Sequence, residues 1–144
     1  MMYKPPTSSE IEYALNNWKY SIHLSSIEGN SKLALRHYNL NMGRDKTTNL
    51  TLPVFKFKVL QTGTNLTVLE INTCENHVYE NRTIEELERI VALKQLCVFA
   101  ERHDNVSLLS VLTTESAFIE AFFECGFTEF FCKNNTCCSR KQLK

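Results

Sequence analysis

The sequence predicts an α/β chain of the α+β type: a mixed, mostly antiparallel sheet flanked by helices. Three observations carry this expectation. The centre alternates as a β-hairpin does, with Phe55, Phe57 and Val59 set against Lys56 and Lys58. A helical segment from Thr83 to about Asp104 then runs into the apolar stretch Val106–Leu112. A second helical segment, Glu115 to Glu124, ends at Cys125-Gly126-Phe127 before a further strand.

Taken in order, residues 1–8 form a Pro-containing lead. Ser9 and Glu12 have the Ser-x-x-Glu spacing of a capping box. Ile11, Leu15, Trp18 and Ile22 follow at helical spacing, which predicts a helix from about Glu10 to Ser25, stopped near Gly29-Asn30. Lys32 to Leu40 reads as either a short helix or a strand. Asn39 to Asn49 is polar enough to be a loop and a candidate exposed edge. Pro53 suits the start of a strand, Thr62-Gly63-Thr64-Asn65 is turn chemistry, and Leu66–Ile71 is the return strand. Asn72 to Arg82 is a polar connection. The helix from Thr83 opens on Glu85, Glu86 and Glu88, which suits a helix N-terminus. Its second half, Ile90 to Ala100, is apolar nearly all round, so it is either buried on both sides or docks a partner. A helix ending near Lys94 followed by a strand Leu96–Ala100 is the alternative. Glu101-Arg102-His103-Asp104-Asn105 makes the better break and favours one long helix. Residues 133–144 read as a short basic, Cys-containing tail.

The chain has 144 residues, which suits one domain over residues 1–144 with one core. Its 16 basic and 16 acidic side chains cancel, which speaks against a general nucleic-acid or anionic-membrane binder. No apolar run approaches the roughly 18 residues that a membrane span needs, and the opening Met1-Met2-Tyr3-Lys4-Pro5-Pro6 has no signal-peptide core. The expectation is a cytoplasmic or nuclear protein with its six cysteines reduced. Five Asn-X-Ser/Thr sequons, at Asn49, Asn65, Asn81, Asn105 and Asn134, then read as incidental.

Chemistry-bearing motifs are sparse. Four glycines, at 29, 43, 63 and 126, form neither a P-loop nor a dinucleotide fingerprint. His23, His37, His77 and His103 have no metal-binding frame, and no nucleophile elbow or cysteine-protease signature is present. Cys125, Cys132, Cys137 and Cys138 cluster, but without the Cys-x-x-Cys spacing of a zinc knuckle, so core or free thiols are the favoured reading over zinc or a disulfide. Glu70, at the end of a strand, is a candidate general base against the plainer reading of a solvated strand residue. No catalytic residue, metal or cofactor is expected.

Strand Leu66–Ile71, helix Thr83–Asp104, strand Val106–Leu112, helix Glu115–Glu124 and Gly126-Phe127 together resemble the core of the GNAT (Gcn5-related acetyltransferase) superfamily. The resemblance implies a GNAT-like fold. Active members hold the acyl-CoA pyrophosphate on a Gln/Arg-x-x-Gly-x-Gly/Ala turn opening the long helix. The matching stretch here, His77-Val78-Tyr79-Glu80-Asn81-Arg82-Thr83, has no Gly and lies among Glu80, Glu85 and Glu86. A second likeness, through Lys58-Val59-Leu60, Leu69-Glu70-Ile71, Phe99-Ala100-Glu101 and Phe122–Phe127, is to ornithine decarboxylase antizymes, which resemble a GNAT fold without acyl-CoA chemistry. The combined expectation is a non-catalytic regulatory domain that binds a protein partner. The candidate contacts are Glu85, Glu86, Glu88, Lys94 and Arg102, with the apolar excess of Ile90–Ala100. A divergent acyl-CoA-dependent N-acetyltransferase and a small structural subunit of a larger complex are the alternatives.

Overall fold

A computed structural model describes residues 4–29, 34–43, 53–75, 77, 81–103 and 105–143. The described chain runs α1 (Ser8–Asn17), β1 (Lys19–Glu28), β2 (Leu35–Gly43), β3 (Pro53–Thr62), β4 (Asn65–Thr73), α2 (Arg82–Glu101), β5 (Leu108–Thr113), α3 (Phe118–Glu124), β6 (Thr128–Lys133) and β7 (Thr136–Gln142). Seven strands form one sheet in the order β1-β2-β3-β4-β5-β7-β6. Among the described strands only β4 and β5 pair in parallel, so the sheet is mixed and mostly antiparallel, as the alternation predicts.

The N-terminal helix is shorter than its periodicity suggests. Thr7, not Ser9, is the cap: Glu10 N donates to Thr7 Oγ1 at 3.2 Å and Thr7 N donates to Glu10 Oε1 at 3.0 Å. The helix stops at Trp18, whose backbone is extended. Tyr20, Ile22 and Leu24 alternate with Ser21 and His23, and this period of two, packed against β2, overrides the weaker helical spacing of Trp18 and Ile22. The ambiguous piece before Leu40 is a strand, and it continues through Gly43, so residues 39–43 of the expected polar loop belong to β2. Residues 44–49 of that expected loop lie outside the described residues.

The β3–β4 hairpin turns at Gly63, whose φ of +60° a side chain would strain. The α2 helix is one continuous element, capped where the Asn81 side chain accepts from Ile84 N at 2.9 Å. Its apolar excess is explained by the core. Ile90, Val91, Ala92, Leu93, Leu96, Cys97 and Ala100 are buried because α2 touches the sheet, α1 and α3 at once. The Phe57–Phe99 ring contact at 6.3 Å and the Phe55–Phe118 contact at 5.5 Å place α2 and α3 on the same side of the sheet. The other side carries Lys56, Lys58 and Glu70.

The presumed basic tail is a correction of some consequence. Thr136–Gln142 is β7, inserted between β5 and β6, with Ser139 fully buried. The β6–β7 turn is Asn134-Asn135, with φ of 52° and 65°. Two successive left-handed residues make the tight turn that matches strand twist, and Asn tolerates that conformation better than most side chains do. Asn134 of one sequon is thus a turn residue and Asn81 of another is a helix cap.

Candidate functional site

In mixed α/β sheets the natural ligand crevice lies at the carboxyl ends of parallel strands, where neighbouring strands part and leave backbone groups unpaired. Here that place is the end of the β4–β5 pair. Parallel pairing runs from Asn65↔Leu108 to Val68↔Val111 and stops. Glu70, at φ 52°, sits at a bulge that bends β4 away. Side chains close the gap that results. Thr73 N donates to Glu115 Oε1 at 2.5 Å and Thr73 Oγ1 donates to Glu115 Oε2 at 2.9 Å. Thr113 Oγ1 donates to Ile71 O at 2.8 Å and accepts from Glu115 N at 3.0 Å. Thr114 Oγ1 donates to Asn72 Oδ1 at 3.1 Å. Backbone groups of β4 that a ligand would otherwise meet are therefore held by residues 113–115.

At the start of α2 two backbone donors are committed as well. Asn81 satisfies Ile84 N with its side chain and Glu85 N with its carbonyl, the latter at 3.1 Å. The acidic residues predicted as a contact surface behave in two ways. Glu85 is half-buried, 3.8 Å from Arg89. Glu86 (5% exposed) and Glu88 (2% exposed) are buried. Glu86 pairs with Arg89 at 3.5 Å and Glu88 with His77 at 2.9 Å. Burial pushes the Glu86 carboxyl above its ordinary range, and the Arg89 guanidinium partly offsets this. The Arg89 guanidinium also lies 5.9 Å over the Phe118 ring. Both carboxylates are thus engaged within the molecule, Glu86 along α2 with Arg89 and Glu88 with His77, and Glu86 lines a groove between α2 and the α3 side. Their position in the first turns had suggested exposure, because acids there are usually solvated. The interior partners His77 and Arg89 are what the sequence pattern did not reveal.

Of the other two candidates, Lys94 is half-buried and Arg102 is exposed at the C-terminal end of α2. Lys94, Val98 and Arg102 follow at i, i+4 and i+8, one row of the helix. Val98 and Arg102, with Phe99 of the same helix, line a groove against Tyr20 and Ile22 of β1. Glu70, the candidate base, is exposed and lies 3.0 Å from Lys58. It is the solvated strand residue of the plainer reading, placed at a bulge.

The cysteines divide. Cys132 and Cys137, opposite one another in the β6–β7 hairpin, are disulfide-bonded, which corrects the expectation of six reduced thiols. Cys74, Cys97, Cys125 and Cys138 are free. Burial pushes Cys125 up to about 12, and its Sγ donates to Ile90 O at 3.5 Å. Such a thiol is a packing residue and not a nucleophile. Among the described residues no group of three His, Cys, Asp or Glu is placed to hold a metal ion, and no helix is long and apolar enough to cross a membrane.

No family model matches the sequence, and no curated protein matches it significantly. Solved structures do match. A protein from Sphaerobacter thermophilus, provisionally named an acetyltransferase, superposes with a TM-score of 0.52 at 7% identity, over 75% of this chain and 69% of its own. Spermidine N-acetyltransferase from Vibrio cholerae, solved with CoA and spermine, gives a TM-score of 0.46 at 13% identity, over 74% of this chain and 63% of its own. The first likeness carries the fold: the chain has a GNAT-like fold. At 7% identity it says nothing of activity, and neither neighbour is an antizyme.

Proposed function

We propose that the chain is a non-catalytic protein-binding domain, built on a GNAT-like scaffold, that regulates the protein it docks to. One observation carries this reading. The crevice at the end of the parallel β4–β5 pair is bridged by Glu115 and Thr113, which occupy Thr73 N, Thr73 Oγ1 and Ile71 O. A ligand entering there would have to displace charge-assisted hydrogen bonds, each worth about 1.5–3 kcal/mol. The end of the parallel pair is therefore a poor seat for an acyl-CoA group. Its pantetheine arm would meet a filled crevice, and its phosphates a helix start already capped by Asn81 and flanked by Glu85.

The rival reading is a divergent acetyltransferase, the activity for which the Sphaerobacter thermophilus neighbour is provisionally named. The candidate base argues against it, since Glu70 is exposed and ion-paired with Lys58 at 3.0 Å. A protein partner suits the charge balance, because equal numbers of acidic and basic side chains give no general attraction for nucleic acid. The contact surface we favour is the row Lys94, Val98 and Arg102 with its groove, in place of Glu86 and Glu88.

Thermal denaturation with and without acetyl-CoA tests the reading. A ligand that binds the native state at a hundred times its Kd stabilises it by about 2.7 kcal/mol. No shift is expected at millimolar acetyl-CoA; a rise of several degrees that saturates with concentration overturns the non-catalytic assignment.

A further inference from the structure

The edge strand β1 carries a pattern that the monomer does not use. Residues Tyr20, Ile22 and Leu24 pair with Met42, Leu40 and Tyr38 of β2. The Tyr38 ring packs on Phe57 and Phe99, so these three residues lie on the helix-covered face. One extra residue, Ser25, then shifts the register. Its hydroxyl donates to His37 O at 3.0 Å and anchors the bulge. Beyond it Ser26 and Glu28 take the open face, and Ile27 returns to the helix side. Leu24 (48% exposed) and Ile27 (53% exposed) are therefore large apolar side chains on the helix side of the sheet that no helix covers among the described residues.

Nine positions of β1 pair with β2: residues 19–24 and 26–28. Their middle member is His23. If a second β1 is laid antiparallel on the free edge with a twofold axis at His23, the partners become Lys19 with Glu28, Tyr20 with Ile27, Ser21 with Ser26, and Ile22 with Leu24. Each pair joins two residues of the same face, which is the condition for a sheet to continue. Both apolar pairs fall on the helix side and cover Leu24 and Ile27. On the open face Lys19 and Glu28 join opposite charges, and by symmetry the pair occurs twice; Glu28 uses one oxygen on His37 of β2 at 3.0 Å and is exposed enough to offer the other. A register one residue away would break this match at every position, because it sends each side chain to the wrong face. An unbulged strand of the same sequence would also break it, because Ile27 and Glu28 would then change sides.

We propose that β1 is a self-complementary edge through which two copies of this chain join their sheets about a twofold axis at His23. The free backbone donors and acceptors of β1 supply the ladder, the Tyr20–Ile27 and Ile22–Leu24 pairs supply apolar burial, and the Lys19–Glu28 pairs fix the register. An isologous contact of this kind closes on itself and yields a dimer, not a filament. The groove between β1 and α2, lined by Tyr20, Ile22, Val98 and Phe99, runs beside the junction and is left outside it. The proposal does not depend on the non-catalytic reading, and the acetyl-CoA titration cannot decide it.

Sedimentation velocity of the full chain over 5–500 μM, with three charge variants, tests it. The wild type should sediment as a dimer within this range. Lys19→Glu places two acids opposite each other twice, and Glu28→Lys does the same with two bases, so each alone should weaken the dimer at least tenfold. An equimolar mixture of the two variants restores both opposite-charge pairs, but only between unlike chains, and should recover the dimer as a heterodimer. Leu24→Lys should give a monomer whose circular dichroism and melting are those of a folded protein. A wild type that stays monomeric to 500 μM overturns the proposal. So does a dimer that neither charge variant weakens, or a mixture of the two that fails to recover it.

Discussion

Replacing Glu115 by Ala removes the carboxylate that bridges β4 and the segment leading into α3, and the structure sets the size of the effect. Two acceptor contacts vanish, to Thr73 N and Thr73 Oγ1. Hydrogen bonds to a charged group contribute about 1.5–3 kcal/mol each. Glu115 is half-buried, so solvent weakens both and water can replace part of what is lost. The expected cost is about 2–3 kcal/mol, a drop in Tm on the order of 6–12 °C for a chain between the two size classes for which such slopes are known. Urea denaturation followed by circular dichroism measures it, and Thr73→Val completes a double-mutant cycle. Because Thr73 and Glu115 contact each other directly, the cycle should return a coupling of at least about 1 kcal/mol. A coupling below about 0.3 kcal/mol would mean that the hydroxyl half of the bridge is incidental, while a Glu115→Ala cost below about 0.5 kcal/mol would undo the whole bridge and with it the filled crevice on which the functional reading rests. Glu115→Ala also gives the scaffold its best opportunity to admit acetyl-CoA. A saturable thermal shift in the variant but not in the wild type would identify Glu115 as the obstacle.

Phe118→Ala should cost about 3–5 kcal/mol, since its ring is fully buried against Phe55 and beneath Arg89; a loss under 1 kcal/mol in chemical denaturation refutes that packing. For Glu86 the folded-state pKa is raised, so the native state holds the proton more tightly than the unfolded chain, and its contribution to stability falls as pH rises from about 4.5. Glu86→Gln should therefore gain on the wild type as pH rises through that window. Melting curves from pH 4 to 7 that stay parallel for the two proteins would contradict the assignment. Brief alkylation of the native protein at pH 8 should label Cys74 and Cys138 before Cys97 and Cys125, as peptide mass spectrometry can read; early labelling of Cys125 would refute its burial. Reducing the Cys132–Cys137 bond opens a six-residue loop, worth about 2 kcal/mol by chain entropy, and a stability unchanged by dithiothreitol would exclude that disulfide.

The parts of the fold legible in the sequence were those where one periodicity acted alone. Phe55, Phe57 and Val59 alternate over a stretch with no competing helical pattern, and β3 and β4 lie where that alternation places them. The long helix was readable because its first turn is acidic and because the Glu101-to-Asn105 break is strongly polar; the Asn81 cap went unread. The β1 strand was not, because Ile11, Leu15, Trp18 and Ile22 happen to satisfy a helical period across a real boundary at Trp18. The last strand was missed for another reason. Thr136-Cys137-Cys138-Ser139-Arg140 has almost no large apolar side chain, and its burial comes from lying between two neighbours, which no local pattern encodes. The closed crevice was equally silent: Thr73 and Glu115 are 42 residues apart, and only the topology brings them together.

The place of β7 in the middle of its half of the sheet bears on how the molecule is made. During synthesis β5 emerges with α2 already able to form behind it, yet one full flank of β5 has no partner until Thr136–Gln142 has left the ribosome. For that interval a nascent chain exposes an apolar strand edge beside Leu109 and Val111, the kind of surface that recruits other nascent chains or a chaperone. The Asn134-Asn135 turn shortens the exposure, since it lets β7 fold back on β6 as a local hairpin and dock as a finished pair. Slowing this turn, by Asn134→Val for example, should lower soluble yield during expression more than it lowers the equilibrium stability of the purified protein.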